Sequence, residues 1–253
     1  MFENLKINLT ARKAYTAHVS GNQLIDKGQV AEAKAKHEEA LKLYEEAYKG
    51  GVRDSKILMA YAVLLMRFDR PEEARDLLRL CENDRSLDAA SRKQMRVNYA
   101  VCQWKLGELD KAIENMEVAA SNGKTSMMYI TLGYFYVEKG RETGDFSKAE
   151  EFNKEALEYD EEDAGILDNI GQMHYFKGDH DTAYEWFAKA YRPKSTQVAT
   201  CYYIAKINLE RGNLEKAKGF IDKCLEGNFS ALATIKREDA YALKAEIEKA
   251  MMG

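Results

Sequence analysis

The chain is poor in the residues that break helices, bridge cysteines or cross membranes. Only two prolines, Pro71 and Pro193, occur in 253 residues, so few backbone breaks are enforced and a proline-rich linker protein is excluded. The four cysteines, Cys81, Cys102, Cys201 and Cys224, form no CxxC or comparable pair, which leaves no zinc-ribbon or redox motif. They fall at positions that a helical core would occupy, where a reduced thiol acts as a small apolar side chain. No apolar run approaches the ~18 residues of a membrane span. The opening MFENLKINLTARK lacks the apolar segment of a secretory signal, so the expected location is cytoplasmic. No basic tract stands out at a net charge of −4, with acids and bases interspersed, so neither a membrane nor nucleic acid is the expected partner.

What is present suits a soluble, helix-rich protein. Hydrophobic residues make up 45% and charged residues 32%, in a length that suits one large domain or two small ones. The chain also repeats itself. A small residue is followed seven positions later by a turn residue, then after five by alanine, then after seven by another small residue. Gly21, Gly28, Ala33 and Ala40 form the first such block; Ala62, Asp69, Ala74 and Cys81 the second; Ala100, Gly107, Ala112 and Ala119 the third. Gly171, Gly178, Ala183 and Ala190, then Ala205, Gly212, Ala217 and Cys224, form the fifth and sixth. Seven residues are two helical turns, so each block reads as two antiparallel helices whose small faces meet. Glycine at the turn supplies a left-handed helix end.

The fourth block is irregular. Within LGYFYVEKGRETGDFSKAEEF, Gly133 and Ala149 are 16 apart, where every other block has 12. The four extra residues lie between Gly140 and Gly144, and the expectation is one turn opened by an insertion. A phosphate-binding loop would follow a strand and end in GK[ST], which this stretch does not.

With these spacings the chain resembles the tetratricopeptide repeat (TPR) family, whose unit is a 34-residue helix–turn–helix; Ala149, Ala183 and Ala217 are 34 apart. ILDNIGQMHYFKGDHDTAYEWFAKAYRP is the best single unit. The resemblance implies an all-α, right-handed α-solenoid of about six units at 14–54, 55–92, 93–125, 126–163, 164–197 and 198–229, with a C-terminal capping helix at 230–253. Residues 1–13 read equally as an extension of the first helix or as a loose arm. The alanine intervals 33–74, 74–112 and 112–149 are 41, 38 and 37, so the loops KGGVRDS and NDRSLDAAS are expected to be enlarged.

Catalytic and metal chemistry find no support. His18, His37, His174 and His180 form no constellation with metal-ligand spacing, and the acidic run EYDEEDAG lacks the alternation of a calcium loop. No nucleophile–base arrangement emerges, so neither an enzyme nor a cofactor is expected.

The resemblance implies that first helices line a concave groove that binds partners. Carried residue by residue, it places Met59, Val63, Val97, Asn98, Val101, Trp104, Ile130, Tyr134, Asn169, Gln172, Tyr175, Tyr202 and Lys206 in that groove, with His18, Asn22 and Asp26 at its start. The middle is apolar and aromatic, and the C-terminal end is tyrosine-rich. A carboxylate clamp of the chaperone-binding kind is not expected, because His18 stands where its lysine belongs and Ala60 where its second asparagine belongs. The implied function is a non-catalytic scaffold or adaptor that binds a protein segment, either a peptide or a helix. The alternatives are a peptide-sensing regulatory receptor and a self-assembling homo-oligomeric subunit. A further alternative has the arm, with Phe2, Leu5 and Leu9, filling the groove permanently.

Overall fold

The computed structural model describes residues 2–195, 197–230 and 232–252, with side chains from Leu5 onward. These residues form thirteen α-helices and no strand. In chain order they are α1 (Phe2–Asp26), α2 (Val30–Lys49), α3 (Ser55–Arg67), α4 (Pro71–Cys81), α5 (Ala89–Lys105), α6 (Leu109–Ala120) and α7 (Ser126–Thr143). They continue as α8 (Ser147–Tyr159), α9 (Ala164–Phe176), α10 (His180–Tyr191), α11 (Val198–Glu210), α12 (Leu214–Glu226) and α13 (Arg237–Met252). The chain divides into two compact units, Met1–Ala119 and Ala120–Gly253.

The spacing of small residues is the physical basis of both units. Ala62, Ala74, Cys81, Ala100, Ala112, Ala149, Ala156, Ala183, Ala190, Ala205, Ala217 and Cys224 have no exposed surface. A β-carbon added to Gly171 would lie 2.7 Å from the Phe187 ring, and one added to Gly21 would lie 2.5 Å from the His37 ring. The paired helices therefore approach too closely at those points for any side chain.

The turns are equally regular. After α9, Gly178 N–H donates to Tyr175 O and Asp179 N–H donates to His174 O, both at 3.0 Å. The same pair of bonds recurs at Gly28, Asp69, Gly107 and Gly212, and each of these residues has a positive φ. This is the left-handed cap that satisfies the last carbonyls of a helix. Asp69, at φ 55°, is the one non-glycine in that conformation among the described residues. The helices that open units are capped from the other end: Asp54 accepts from Ile57 N–H at 3.0 Å, Asp88 from Ser91 at 2.7 Å and Asp163 from Gly165 at 2.8 Å.

Two expectations need correction. The four extra residues of the fourth block do not open a turn. They extend α7 by a full helical turn through Thr143, and Gly144, at φ 79°, is the residue that turns. Gly140 is buried within the helix, where an added β-carbon would lie 2.5 Å from the Phe146 ring. The long early intervals are likewise absorbed mainly by helix. α2 runs nine residues past Ala40, and α5 begins eleven before Ala100, where α9 begins seven before Gly171. Insertions of four or seven residues are close to one or two 3.6-residue turns, so they lengthen a helix without rotating its small face away from its partner.

Residues 2–13 lie within α1 and continue it toward the N-terminus. Ile7 and Ala11 pack against Ala47, Val52 and Ile57, and Ile7 fills the space over Gly50. Leu5 and Leu9 point to solvent, at 58% and 48% exposed, so neither fills a groove. The Phe2 side chain lies outside the described residues.

Within the first unit α1 packs on α2, α3 on α4, and α3 also touches α1 and α5. Within the second, α7, α9, α11 and α13 form one layer in which each touches the next. α8, α10 and α12 form the other layer, each lying against the first-layer helices before and after it.

Candidate partner-binding faces

The first helices of each unit carry the residues assigned to partner binding, and burial divides those residues. In the first unit Met59, Val97, Asn98 and Val101 are buried, and Val63 and Trp104 are partly accessible. Asn98 accepts from Gln94 Nε2 at 2.9 Å, and the Lys105 ammonium stands 5.6 Å from the Trp104 ring centroid.

The start of this face is a polar cluster built from three helices. The Arg67 guanidinium of α3 donates to His37 Nδ1 of α2 and to Asn22 Oδ1 of α1, both at 3.3 Å. Because arginine can only donate, His37 Nδ1 accepts and its Nε2–H donates to Asn22 Oδ1 at 3.1 Å. The His18 ring meets His37 edge-on at 5.6 Å, with Tyr44 behind it. Burial, reinforced by the Arg67 charge, lowers both imidazoles to about 4, so they are neutral at pH 7.

In the second unit Tyr134, Asn169 and Gln172 are buried, and Ile130, Tyr175, Tyr202 and Lys206 are partly accessible. Asn169 ties neighbouring first helices together, donating from Nδ2 to the Ile130 carbonyl at 2.8 Å. Ile130 itself lies against Gly165, where an added β-carbon would come within 2.9 Å of it. Asp168 is fully enclosed and accepts from Thr200 Oγ1 at 2.5 Å and Gln172 Nε2 at 2.6 Å. Desolvation dominates those bonds and raises its carboxyl to about 6.

Beside it lies an aromatic array. The Tyr175 ring stacks on His180 at 4.4 Å and 8°, and its hydroxyl donates to Glu210 Oε1 at 2.9 Å. His180 Nδ1 reaches the other Glu210 oxygen at 2.8 Å. Tyr202 meets Tyr203 edge-on at 5.3 Å, and Lys206 Nζ sits 5.6 Å and 6.0 Å from the Tyr175 and Tyr202 rings. Each accessible ring is thus held in place by a neighbour, which lowers the entropy lost when a partner docks.

His180 and Thr200 were not picked out in the sequence as members of this face, whereas Glu210 falls in the same first-helix column as Lys206. For Thr200 the signal was the repeat length: it lies 32 residues after Asp168, close to one 34-residue unit. All four cysteines are buried, and burial pushes the thiols of Cys102 and Cys201 up to about 11 and that of Cys224 up to about 12. Among the described residues no three His, Cys, Asp or Glu side chains gather as a metal site, and no helix is long and apolar enough to cross a membrane.

Residues 25–86 match a family model described as tetratricopeptide repeat. Solved structures share the fold at low identity. A thermophilic TPR protein of Thermus thermophilus superposes with a TM-score of 0.60 at 19% identity, over 79% of this chain and all of that one. PilW, a widely conserved type IV pilus biogenesis factor, gives 0.57 at 15%, over 81% and 91%. A chain of the APC/C hetero-tetramer Cut9–Hcn1 gives 0.60 at 14%, where 97% of this chain spans 49% of that one. No curated protein matches the chain in sequence.

Proposed function

The chain is a tetratricopeptide-repeat protein, and from that premise we propose that it is a non-catalytic scaffold or adaptor whose first-helix faces bind a segment of a partner protein. The helix pairs are assigned to repeats at 14–54, 55–92, 93–125, 126–163, 164–197 and 198–229, with 230–253 as the capping segment. The observation that carries the reading is the array of Tyr175, Tyr202 and Lys206, half-accessible yet braced by His180, Glu210 and Tyr203. Preorganised aromatic side chains are the usual anchors of protein interfaces. Val63 and Trp104 are the corresponding accessible residues of the first unit. The buried members, Met59, Val97, Asn98, Val101, Tyr134, Asn169 and Gln172, shape these faces from beneath.

The test is affinity capture from the native cell with wild type and with a Tyr202→Ala, Lys206→Ala double variant. Loss of a partner by a variant with an unchanged helical spectrum supports the reading, and retention of every partner sinks it. A second reading, self-assembly, is favoured by Leu5 and Leu9, two apolar side chains exposed one turn apart on α1. Light scattering across a concentration series decides it, since a strict monomer removes it.

A further inference from the structure

Within the second unit the connectors between helix pairs are unequal. Residues 160–163 join α8 to α9 and 192–197 join α10 to α11, whereas ten residues, 227–236, join α12 to α13. That last connector, GNFSALATIK, is also largely uncharged and apolar.

The connector packs against the helices. Ile235 is buried in the core that holds Tyr203, Ile204 and Leu243, and Phe229 lies against the same core. The Arg237 guanidinium covers the Phe229 ring at 4.2 Å and donates to the Leu225 carbonyl at 3.0 Å. Thr234 accepts from Gln172 Nε2 at 3.4 Å, a contact that reaches back to α9. α11 stands between α9 and α13 in the first-helix layer, with α12 on its other side. With Thr234 on Gln172 of α9 and Ile235 beside Tyr203 and Ile204 of α11, the connector lies along the first-helix layer.

Gln172 shows what this occupant leaves undone. Its side chain is fully buried, its Nε2 is engaged, and its Oε1 has no hydrogen-bond partner among the described residues. A buried carbonyl oxygen without a donor is a standing cost, and an extended peptide backbone presents N–H groups that could meet it. The described residues of the connector bind this face with one long hydrogen bond and a few apolar contacts, helped by being tethered beside it.

We propose that residues 228–230 and 232–235 are a tethered occupant of the first-helix face of the second unit. The partner segment to which they give way is an uncharged apolar stretch with a small hydroxyl residue, and its backbone N–H meets Gln172 Oε1. The proposal rests on the reading that this face binds a partner segment, and it names the chemistry of that segment.

A fluorescein-labelled peptide NFSALATI, residues 228–235, is the probe. It is titrated into wild type and into the full chain with 228–235 replaced by eight Gly/Ser residues, and anisotropy is read. The replaced chain should bind it saturably, at least tenfold more tightly than wild type, and an added Gln172→Leu should weaken that binding. No binding to a folded replaced chain, or equal binding to both, overturns the proposal. Amide hydrogen exchange of the wild type decides the matter if the replaced chain does not fold. Slowed exchange at 229, 230 and 232–235 is expected, and unstructured rates there overturn the strap. That failure would leave partner binding itself to be judged by the capture experiment with the Tyr202 and Lys206 variant.

Discussion

Single residues decide how closely the helices approach. Ala183 and Ala217 are wholly enclosed between paired helices, so leucine at either position must displace a neighbouring helix. Each substitution is expected to cost on the order of 1–3 kcal/mol, measured by chemical denaturation, whereas leucine at the exposed Lys216 should be nearly neutral. Asp168 is a different kind of residue, a buried carboxylate neighboured by hydroxyl and amide donors rather than a cation. Its folded value of about 6 lies above the usual 3.8, so ionisation at pH 7 works against folding. Asp168→Asn keeps an acceptor for Thr200, and a flipped Gln172 amide can accept from the new NH2 group through its orphaned Oε1. The variant should therefore be more stable at pH 7, on the order of 1–3 kcal/mol, an advantage that shrinks as pH falls from 6 to 4. A less stable variant at pH 7 would show that the charge is compensated.

At the scale of elements, what counts is whether helix length stays in step with helix face. Removing Gly140–Thr143 joins EK to GDFSKA, restores the spacing of 12 and brings the turn close to FKGDHDTA of the next unit. That deletion is expected to keep a cooperative thermal transition. Deleting Glu142 and Thr143 alone turns the end of α7 by about 200° and should lower the transition further, a ranking that calorimetry reads directly. The same logic explains what could be read in advance. Small residues at fixed intervals give away the paired helices and their turns, because the close approach leaves no alternative at Gly21 or Gly171. The lengthening of α2, α5 and α7 was not legible, because an inserted turn of helix and an inserted loop have the same length in sequence. Nor was the burial of Gln172, whose cover comes from a connector 62 residues away. A periodic pattern reports contacts within and between repeats and is silent about an aperiodic segment.

At the scale of the molecule, the two units carry titrating groups of opposite sense. His18 and His37 in the first unit titrate at about 4 when folded and 6.5 when free, so they contribute stability above pH 6.5 that is lost as pH falls toward 4. The loss for the pair is on the order of 2–4 kcal/mol. Asp168 in the second unit acts the other way, stabilising as pH falls from 6 toward 3.8. Hydrogen exchange at pH 7 and pH 5, corrected for intrinsic rates, should show protection falling in α1–α3 and rising around α9. Parallel changes in both regions would contradict the assignment. His18→Gln with His37→Gln should flatten the first response and leave the second.

The turn added to α7 has a consequence for the surface it carries. Four residues advance a helix by about 6 Å and return it to nearly the same bearing. Reach along the axis and orientation around it are therefore separately adjustable: a repeat can slide a column of side chains toward or away from a partner, like a slide rule, without changing which column is presented.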